Sequence, residues 1–261
     1  IPVYAQKDPL ELPWKKHRVD VVIESTGFFT KHEDADKHIQ AGARNVVISA
    51  PSSNAPTYLM GVNHKNHKRS ESIVNNASCT TNSIAPVAQI MADSLGVKKA
   101  MLTTIHSVTA AQNIVDGLPG RGSKDLRRGR SAMVNMVPTT TGAAKATTKV
   151  VSSLKGKFDG IAVRVPTIDV SLSDFTFVTK KKTTVAKVNA IFKKAAQTAR
   201  WKGILGVTDE PVVSSDFIQS SYGSVVDLGM TRVVDGDLVK VLAWYDNEWG
   251  YTVRLLDMVM H

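Results

Sequence analysis

The feature that most constrains the fold is a strand–helix–strand pattern near the start of the chain. Residues 19–24 read Val-Asp-Val-Val-Ile-Glu, a nearly continuous apolar run that is typical of a buried parallel strand. Residues 33–43 predict a helix closed by Gly42, and residues 45–49 predict a second buried strand that ends before Pro51. Parallel strands joined by a helix need a right-handed crossover, so the pattern predicts an α/β domain with a parallel sheet.

The ends of these two strands are where a ligand is expected. In an open parallel sheet, ligands bind beyond the carboxyl ends of the strands, which places Thr26, Gly27, Ser49 and Ala50 at the expected cofactor edge. The glycine fingerprint G-x-G-x-x-G does not occur in residues 1–78, and no acidic residue can be assigned to a ribose. The pattern alone therefore leaves two interpretations open. This stretch binds a nucleotide, or it only completes the sheet. Because the chain begins at Ile1 in an extended segment, we expect the front of this domain to be missing.

A second domain is predicted from the longer strands that begin at about residue 97. A helix is predicted over residues 185–200 and a closing helix over residues 248–260. Long strands with helices on one side are typical of an α+β domain. The predicted strands cover residues 100–105, 160–165, 169–178 and 238–245.

Composition excludes several classes of protein. The 261 residues have a formal net charge of +10, which favours anionic partners such as phosphates, but the basic clusters are scattered and match no nucleic-acid-binding module. One cysteine cannot form an internal disulfide, and no cysteine or histidine cluster has the spacing of a metal site. No window resembles a membrane helix or a signal peptide, so we expect a cytoplasmic protein without a membrane partner or a metal.

The single cysteine, Cys79, lies among small polar residues immediately before an apolar helix predicted over residues 84–95. Ser78 is a suitable N-cap, which would put Cys79 in the first helical turn. There the positive end of the helix dipole favours a thiolate, and free backbone N–H groups could bind an oxyanion. The alternative is that Cys79 is a small buried hydrophobe, although its polar neighbours argue against this.

A thiol nucleophile needs a base within hydrogen-bonding distance, and His106 is the best candidate of seven histidines. It ends the predicted strand over residues 101–105, whereas five of the others lie in charged stretches and the last is terminal. Taken alone, His106 could equally be a core histidine whose hydrogen bonds are satisfied.

Taken together, several motifs resemble those of the glyceraldehyde-3-phosphate dehydrogenases, in the same order and over essentially the whole chain. The motifs are Asn76-Ala77-Ser78-Cys79-Thr80-Thr81-Asn82, His106 with Thr109, Arg127 to Arg130, Thr141-Gly142-Ala143-Ala144-Lys145, Arg164-Val165-Pro166-Thr167 and Trp244-Tyr245-Asp246-Asn247-Glu248. The resemblance implies a partial Rossmann-type parallel sheet domain over residues 1–78 and 247–261, and an α+β catalytic domain over residues 79–246.

The resemblance also implies a mechanism. Cys79 attacks the aldehyde of a triose phosphate and His106 accepts the hydroxyl proton. Oxidation by a nicotinamide cofactor, NAD or alternatively NADP, leaves a thioester that inorganic phosphate converts to an acyl phosphate. A cytoplasmic homotetramer is expected.

Residue roles carried over from the family fall into two groups. Binding of the substrate and of phosphate is expected of Ser78, Thr80, Thr109, Arg128, Thr141, Gly142 and Arg164. Cofactor binding is expected of Thr26, Gly27, Ser49, Asn247 and Tyr251. Ala111 departs from the family, which usually has a hydroxyl or acidic side chain there, so that contact is expected to be absent.

Two alternatives remain at this point. Erythrose-4-phosphate dehydrogenase would use Cys79 and His106 in the same way but would transfer the acyl group to water. A basic fragment without activity could act as a binding module for RNA or another anionic surface, and its affinity would fall steeply with salt.

Overall fold

The chain forms two compact units in the computed structural model, which describes residues 1–120 and 124–261. The first unit comprises residues 1–78 and 254–261, and the second comprises residues 79–253. Residues 247–253, which the sequence analysis groups with the first domain, therefore lie in the second unit. The functions assigned to the two domains remain predictions.

A three-stranded parallel sheet forms the centre of the first unit. Its strands are β1 (Val21–Glu24), β2 (Asn45–Ile48) and β3 (Ile73–Asn75), in that order. Before and between them lie helices α1 (Trp14–His17) and α2 (His32–Gln40). The predicted strand–helix–strand unit is confirmed. Strand β3 was not predicted, because three residues are too few to show a periodic pattern.

Gly42 ends α2 as expected, and the structure adds a packing reason for glycine there. Its N–H donates to Ile39 O over 2.9 Å, and its φ of +107° belongs to the region that favours glycine. A Cβ at this position would lie 2.4 Å from Lys15 Cβ. The turn after α2 therefore packs directly on the backbone of α1.

The second unit is built on a seven-stranded mixed sheet in the order β5-β6-β4-β7-β10-β9-β8. Helices α3 (Cys79–Ser94), α4 (Ala143–Val150) and α5 (Val185–Ala196) pack against it. The strands are β4 (Val97–His106), β5 (Val137–Thr140), β6 (Phe158–Arg164), β7 (Ser171–Thr179), β8 (Leu205–Thr208), β9 (Ser224–Val234) and β10 (Leu238–Tyr245). The predicted α+β class is confirmed, although β5, β8, β9 and α4 were not predicted.

The register of this sheet gathers polar residues at one edge. Strands β4 and β6 are parallel and end side by side, with His106 paired to Arg164. Strand β7 begins at Ser171, which pairs with Tyr245 at the end of β10. Four residues, drawn from sequence positions between 106 and 245, therefore lie at the ends of adjacent strands.

The remaining helices fix the position of the cysteine segment and close the chain. Helix α3 begins at Cys79, five residues before the start of the predicted helix, and continues through Pro86. Helix α6 (Trp249–Met260) contains the division between the two units. Within the described residues, no helix has both the length and the apolar character needed to cross a membrane.

Candidate active site

Cys79 and His106 lie together in the second unit. Cys79 is the first residue of α3, and its Sγ lies 3.6 Å from His106 Nε2. His106 is buried at the end of β4. The structure therefore brings together the two residues that the sequence analysis selected as nucleophile and base.

Arg164 lies on the other side of the imidazole ring. Its Nη1 is 2.5 Å from His106 Nδ1 and donates to Ser107 O over 2.9 Å. His106 Nδ1 is also 2.7 Å from Ser107 O. These neighbours favour different tautomers, because the carbonyl needs a proton on Nδ1 and the guanidinium needs a lone pair there. Only the tautomer favoured by the carbonyl leaves Nε2 free to accept a proton from the thiol.

Burial favours the neutral forms of both Cys79 and His106. It raises the pKa of the Cys79 thiol, an effect larger than the opposing influence of the hydrogen bonds from Thr80 and of the charge on Arg164. Burial, followed by the charge on Arg164, lowers the pKa of His106 to about 4. The helix N-terminus was expected to favour a thiolate, but the net direction is towards a neutral thiol beside a neutral imidazole.

A buried tyrosine supports this pair. Tyr245 OH lies 2.9 Å from Thr80 Oγ1 and 2.9 Å from Thr104 Oγ1. Its ring meets the His106 ring edge to face, with 5.9 Å between centroids. The hydroxyl of Thr80, expected to bind phosphate, is thus engaged with Tyr245.

Two buried serines hold the side chain of Asn247. Its Oδ1 accepts hydrogen bonds from Ser107 Oγ over 2.6 Å and from Ser171 Oγ over 2.7 Å. Its Nδ2 donates to Glu248 Oε1 over 3.2 Å. Tyr251, in the next turn of the chain, has a pKa raised by burial and then by the charge on Cys79. Both residues predicted to orient the cofactor thus belong to the unit that holds Cys79.

The arginines of residues 127–130 differ in their partners. Arg127 and Arg130 pair with the carboxylates of Asp125 and Asp116, respectively. Arg128 makes no direct ion pair in the described part of the chain; its Nη2 lies 3.5 Å from Thr140 O, and its charge acts on Asp125 and Arg164. A half-buried arginine whose guanidinium makes no direct ion pair is suited to an anionic ligand.

Thr141 and Gly142 form the N-terminus of α4. Thr141 Oγ1 accepts from Ala143 N over 3.1 Å, and Gly142 is exposed, with open space where a Cβ would be. Backbone N–H groups at a helix N-terminus suit a phosphate. Thr140 O, which Arg128 contacts, immediately precedes this turn.

Thr109 occupies a turn after β4. Its N–H and its hydroxyl both donate to Gln112 Oε1, over 2.9 Å and 3.1 Å. Gln112 Nε2 is buried without a partner, whereas Ala111 is exposed. Among the described residues no hydrogen bond joins Thr109 to Arg164, although the resemblance assigns them to one phosphate.

In the first unit, the predicted cofactor residues lie at the strand ends, as expected from a parallel sheet. Glu24, buried at the end of β1, accepts from Thr26 N over 2.8 Å and from its hydroxyl, and its other oxygen contacts His38 Nε2 over 2.8 Å. Gly27 has a φ of +75° with open space beside it. Ser49 N donates to Glu24 O over 2.9 Å.

Backbone strain occurs next to the site residues. Ala77, two residues before Cys79, has a φ of +54°, and Val170, just before Ser171, has a φ of +66°. Both are buried, and a β-branched residue in this region is a genuine outlier. Such strain persists only where the surrounding packing imposes it, and it is concentrated at functional sites.

Sequence reasoning missed Tyr245, Ser107 and Ser171 as site residues. Tyr245 could have been found, because it lies two residues before Asn247 in the same motif. The serines carry no comparable signal, since only the strand register brings Ser171 to the edge where Ser107 lies.

Comparison with known proteins gives a consistent result. A profile described as "Glyceraldehyde 3-phosphate dehydrogenase, C-terminal domain" matches residues 78–247. The chain is 49% identical over 259 residues to a glyceraldehyde-3-phosphate dehydrogenase of Zymomonas mobilis, covering 98% of this chain and 76% of that protein. It is 50% identical over 263 residues to glyceraldehyde-3-phosphate dehydrogenase 1 of Bacillus cereus, covering 100% and 77%. It is 45% identical over 261 residues to a cytosolic glyceraldehyde-3-phosphate dehydrogenase of Ranunculus acris, covering 100% and 76%.

Proposed function

The chain belongs to the glyceraldehyde-3-phosphate dehydrogenase family, and we propose that Cys79 and His106 are the nucleophile and the base of its reaction. It is a glycolytic oxidoreductase, a phosphorylating aldehyde dehydrogenase that acts on a triose phosphate with a nicotinamide dinucleotide. The observation that carries the proposal for the two residues is the 3.6 Å separation of Cys79 Sγ and His106 Nε2 at the start of α3.

The first step is attack by Cys79. Because burial favours the thiol, His106 Nε2 takes the thiol proton as Sγ bonds to the aldehyde carbon, and returns a proton to the new oxygen. The product on Cys79 is a thiohemiacetal. Backbone N–H groups of the first turn of α3 stabilise the oxyanion before it is protonated.

The second step converts this adduct to a thioester. A bound nicotinamide dinucleotide supplies the oxidation, because it accepts the hydride of that carbon. His106 Nε2 accepts the hydroxyl proton as the carbonyl forms. An oxygen of inorganic phosphate then attacks the thioester carbon and Cys79 leaves as the thiolate, so the product is an acyl phosphate.

We assign two groups of phosphate-binding residues. Arg164 and Thr109 bind the phosphate of the triose, and Ser78, Thr80, Thr141 and Gly142 serve the attacking phosphate, with Arg128 near both. Support comes from the guanidinium of Arg128, which makes no direct ion pair in the described residues, and from the exposed N-terminus of α4. Thr80 has the least support, because its hydroxyl already contacts Tyr245.

The residues present fit a dinucleotide. In the first unit, Gly27 leaves space for a ligand to approach the backbone beside Thr26, and Ser49 lies at the end of β2. In the second unit, Asn247 offers an amide whose Oδ1 is already occupied, and Tyr251 lies on α6. We propose NAD, with NADP as the alternative, and the ratio of the two dissociation constants measured by calorimetry decides between them.

We further propose a cytoplasmic homotetramer, supported by the cytosolic relative and by the assembly that the family implies. The matched relatives are named for glyceraldehyde 3-phosphate. They give no support to an erythrose-4-phosphate dehydrogenase or to an inactive RNA-binding fragment.

The test is formation of reduced cofactor from glyceraldehyde 3-phosphate, with and without inorganic phosphate, before and after alkylation. Cys79 is the only cysteine, so one alkyl group per chain reports on one site. We expect phosphate-dependent turnover that alkylation and Cys79→Ala abolish and that His106→Gln lowers by roughly 10²-fold or more. Turnover that survives in Cys79→Ala would rule out the proposed nucleophile.

A further inference from the structure

We propose that Ser107 and Ser171 are positioning residues that hold the Asn247 amide in the single orientation in which its Nδ2 can donate to the carboxamide of the cofactor. The inference rests on the proposed cofactor role of Asn247 and extends it, because it explains how one face of the nicotinamide ring is selected. All three residues belong to the second unit.

The donor and the acceptor can be assigned in each hydrogen bond between Asn247 and the two serines. The backbone N–H of Ser107 donates to Ser171 Oγ over 3.1 Å, so the Ser171 hydroxyl proton is directed elsewhere, and Asn247 Oδ1 accepts it over 2.7 Å. The Ser107 hydroxyl donates to the same Oδ1 over 2.6 Å. Both lone pairs of this oxygen are therefore used, and the two hydroxyls are farther from each other, at 3.4 Å.

This arrangement selects one amide orientation. A flipped Asn247 would turn its NH₂ group towards the serines, and both buried hydroxyls would lose Oδ1, the acceptor that they share. In the observed orientation one Nδ2 proton is directed to Glu248 Oε1 and a second remains as a donor. A carboxamide oxygen is the acceptor on the cofactor that such a donor would bind.

The same serines are fixed from both sides. The carbonyl of Ser107 accepts from Arg164 Nη1 over 2.9 Å and lies 2.7 Å from His106 Nδ1, so the backbone that carries one serine also holds the base. On the other side, Ser171 follows Val170, whose strained backbone is held in a buried cluster with Phe217 and Val225. The position of Asn247 is thus tied to that of His106 through protein groups alone.

The competing explanation is that these serines only satisfy buried hydrogen bonds at the edge of the sheet. Ser173 provides a matched control, because it lies two residues after Ser171 on β7, is equally buried, and has an Oγ without a partner. Ser173→Ala removes the same atom from the same strand without touching Asn247.

The experiment compares Ser107→Ala, Ser171→Ala, their double variant and Ser173→Ala. Calorimetry measures the dissociation constant of NAD, and transferred nuclear Overhauser effects between the nicotinamide ring and its ribose report whether one glycosidic conformer is bound or two. We expect one conformer in the wild type and in Ser173→Ala. The double variant should bind two conformers with affinity roughly tenfold weaker, and each single variant should show part of this change.

Two outcomes would overturn the inference, and the substitution Asn247→Ala distinguishes between them. If the serine variants bind NAD like Ser173→Ala, with one conformer, while Asn247→Ala weakens binding, only the positioning role is wrong. If Asn247→Ala itself leaves the dissociation constant unchanged, the proposed cofactor role of Asn247 fails and the inference fails with it. An unchanged rate of Cys79 alkylation in every variant shows that the remainder of the site is intact.

Discussion

At the scale of single residues, burial matters more for the proposed catalytic pair, Cys79 and His106, than the position of Cys79 at a helix end. The first turn of α3 supplies backbone donors, but enclosure of the thiol raises its pKa, and enclosure of His106 lowers the pKa of the imidazole. A neutral base is able to accept a proton over the whole physiological range. The pair is therefore suited to transfer the thiol proton during attack rather than to store a thiolate beforehand.

The pKa of His106 gives the first prediction. Because burial and then Arg164 lower it to about 4, the imidazole is deprotonated above that pH, and an acid limb of kcat/KM that depends on His106 should lie near 4, not near 6.5. Nuclear magnetic resonance titration of the His106 ring measures the midpoint directly. His106→Gln, which lacks the signal, identifies it.

Arg164→Met supplies the comparison for that titration. Removing a nearby positive charge makes protonation of the imidazole easier, so the midpoint should move to higher pH. A wild-type midpoint near 6.5, or one that does not move in Arg164→Met, would contradict the description of this site.

At the scale of elements, the glycines that follow α2 and β1 differ in how closely another part of the chain packs against them. The turn after α2 brings Gly42 against the backbone of Lys15, whereas Gly27, at the end of β1, has open space around it. Both glycines have a positive φ, so alanine at either position carries the cost of that backbone conformation. Only at Gly42 would the added Cβ also overlap a neighbouring backbone. Sequence analysis identified the end of the helix at Gly42 but could not identify the close approach, because Lys15 is distant in sequence.

The second prediction compares these glycines. Gly27→Ala should cost about 1 kcal/mol of unfolding free energy, since only the backbone conformation is penalised. Gly42→Ala should cost about 3 kcal/mol or more, because the added Cβ overlaps the backbone of α1. Urea unfolding of the two variants measures the difference, and equal losses would show that the close approach is absent.

The third prediction concerns α3. Ser83 Oγ is buried in this helix without a hydrogen-bond partner. Ser83→Ala removes an unsatisfied hydroxyl and improves helix propensity, so it should stabilise the protein by about 1 kcal/mol without changing kcat. Thr147→Val tests the same reasoning on α4, where Thr147 Oγ1 is also unpartnered, and a clear loss of stability in both variants would refute it.

At the scale of the whole molecule, two large apolar side chains are exposed on one face of the seven-stranded sheet. Met101 on β4 alternates with buried neighbours and is 58% exposed, and Ile161 on β6 is 48% exposed. The register pairs Met101 with Asp159 and Thr103 with Ile161, so the two apolar side chains are diagonal neighbours on a face of mixed polarity. Exposed apolar side chains rimmed by polar residues are typical of an interface between chains. This surface is where we expect copies of the chain to associate.

The fourth prediction tests that face. The double variant Met101→Lys with Ile161→Lys places charges on it, so light scattering should show a smaller assembly than the wild type forms. Ile168→Lys is the control, because Ile168 is 83% exposed outside the regular strands, and its mass should match the wild type. An unchanged mass in the double variant would place the interface elsewhere.

The sequence by itself determined those helices and strands that have a strong local pattern of apolar residues. The period of apolar residues predicted β1, α2, β2 and most of the long strands, and Cys79 and His106 could be selected because each stands at the end of such an element. Resemblance to a family named the remaining site residues. Strands β3 and β5 were not found, because three or four residues are too few to show a period. Strand β9 has eleven residues, but its burial does not alternate regularly, so it shows no clear period either.

What only the tertiary structure decided was the environment of those residues. The register of β4, β6, β7 and β10 brings His106, Arg164, Tyr245 and Ser171 to one edge. The resulting burial favours a neutral thiol at Cys79 where a thiolate was expected, and Tyr245 contacts the hydroxyl of Thr80. The physical reason is that pKa values and hydrogen-bond partners depend on atoms within a few ångströms. The partners of Cys79 and Thr80 include His106, 27 positions from Cys79, and Tyr245, 165 positions from Thr80.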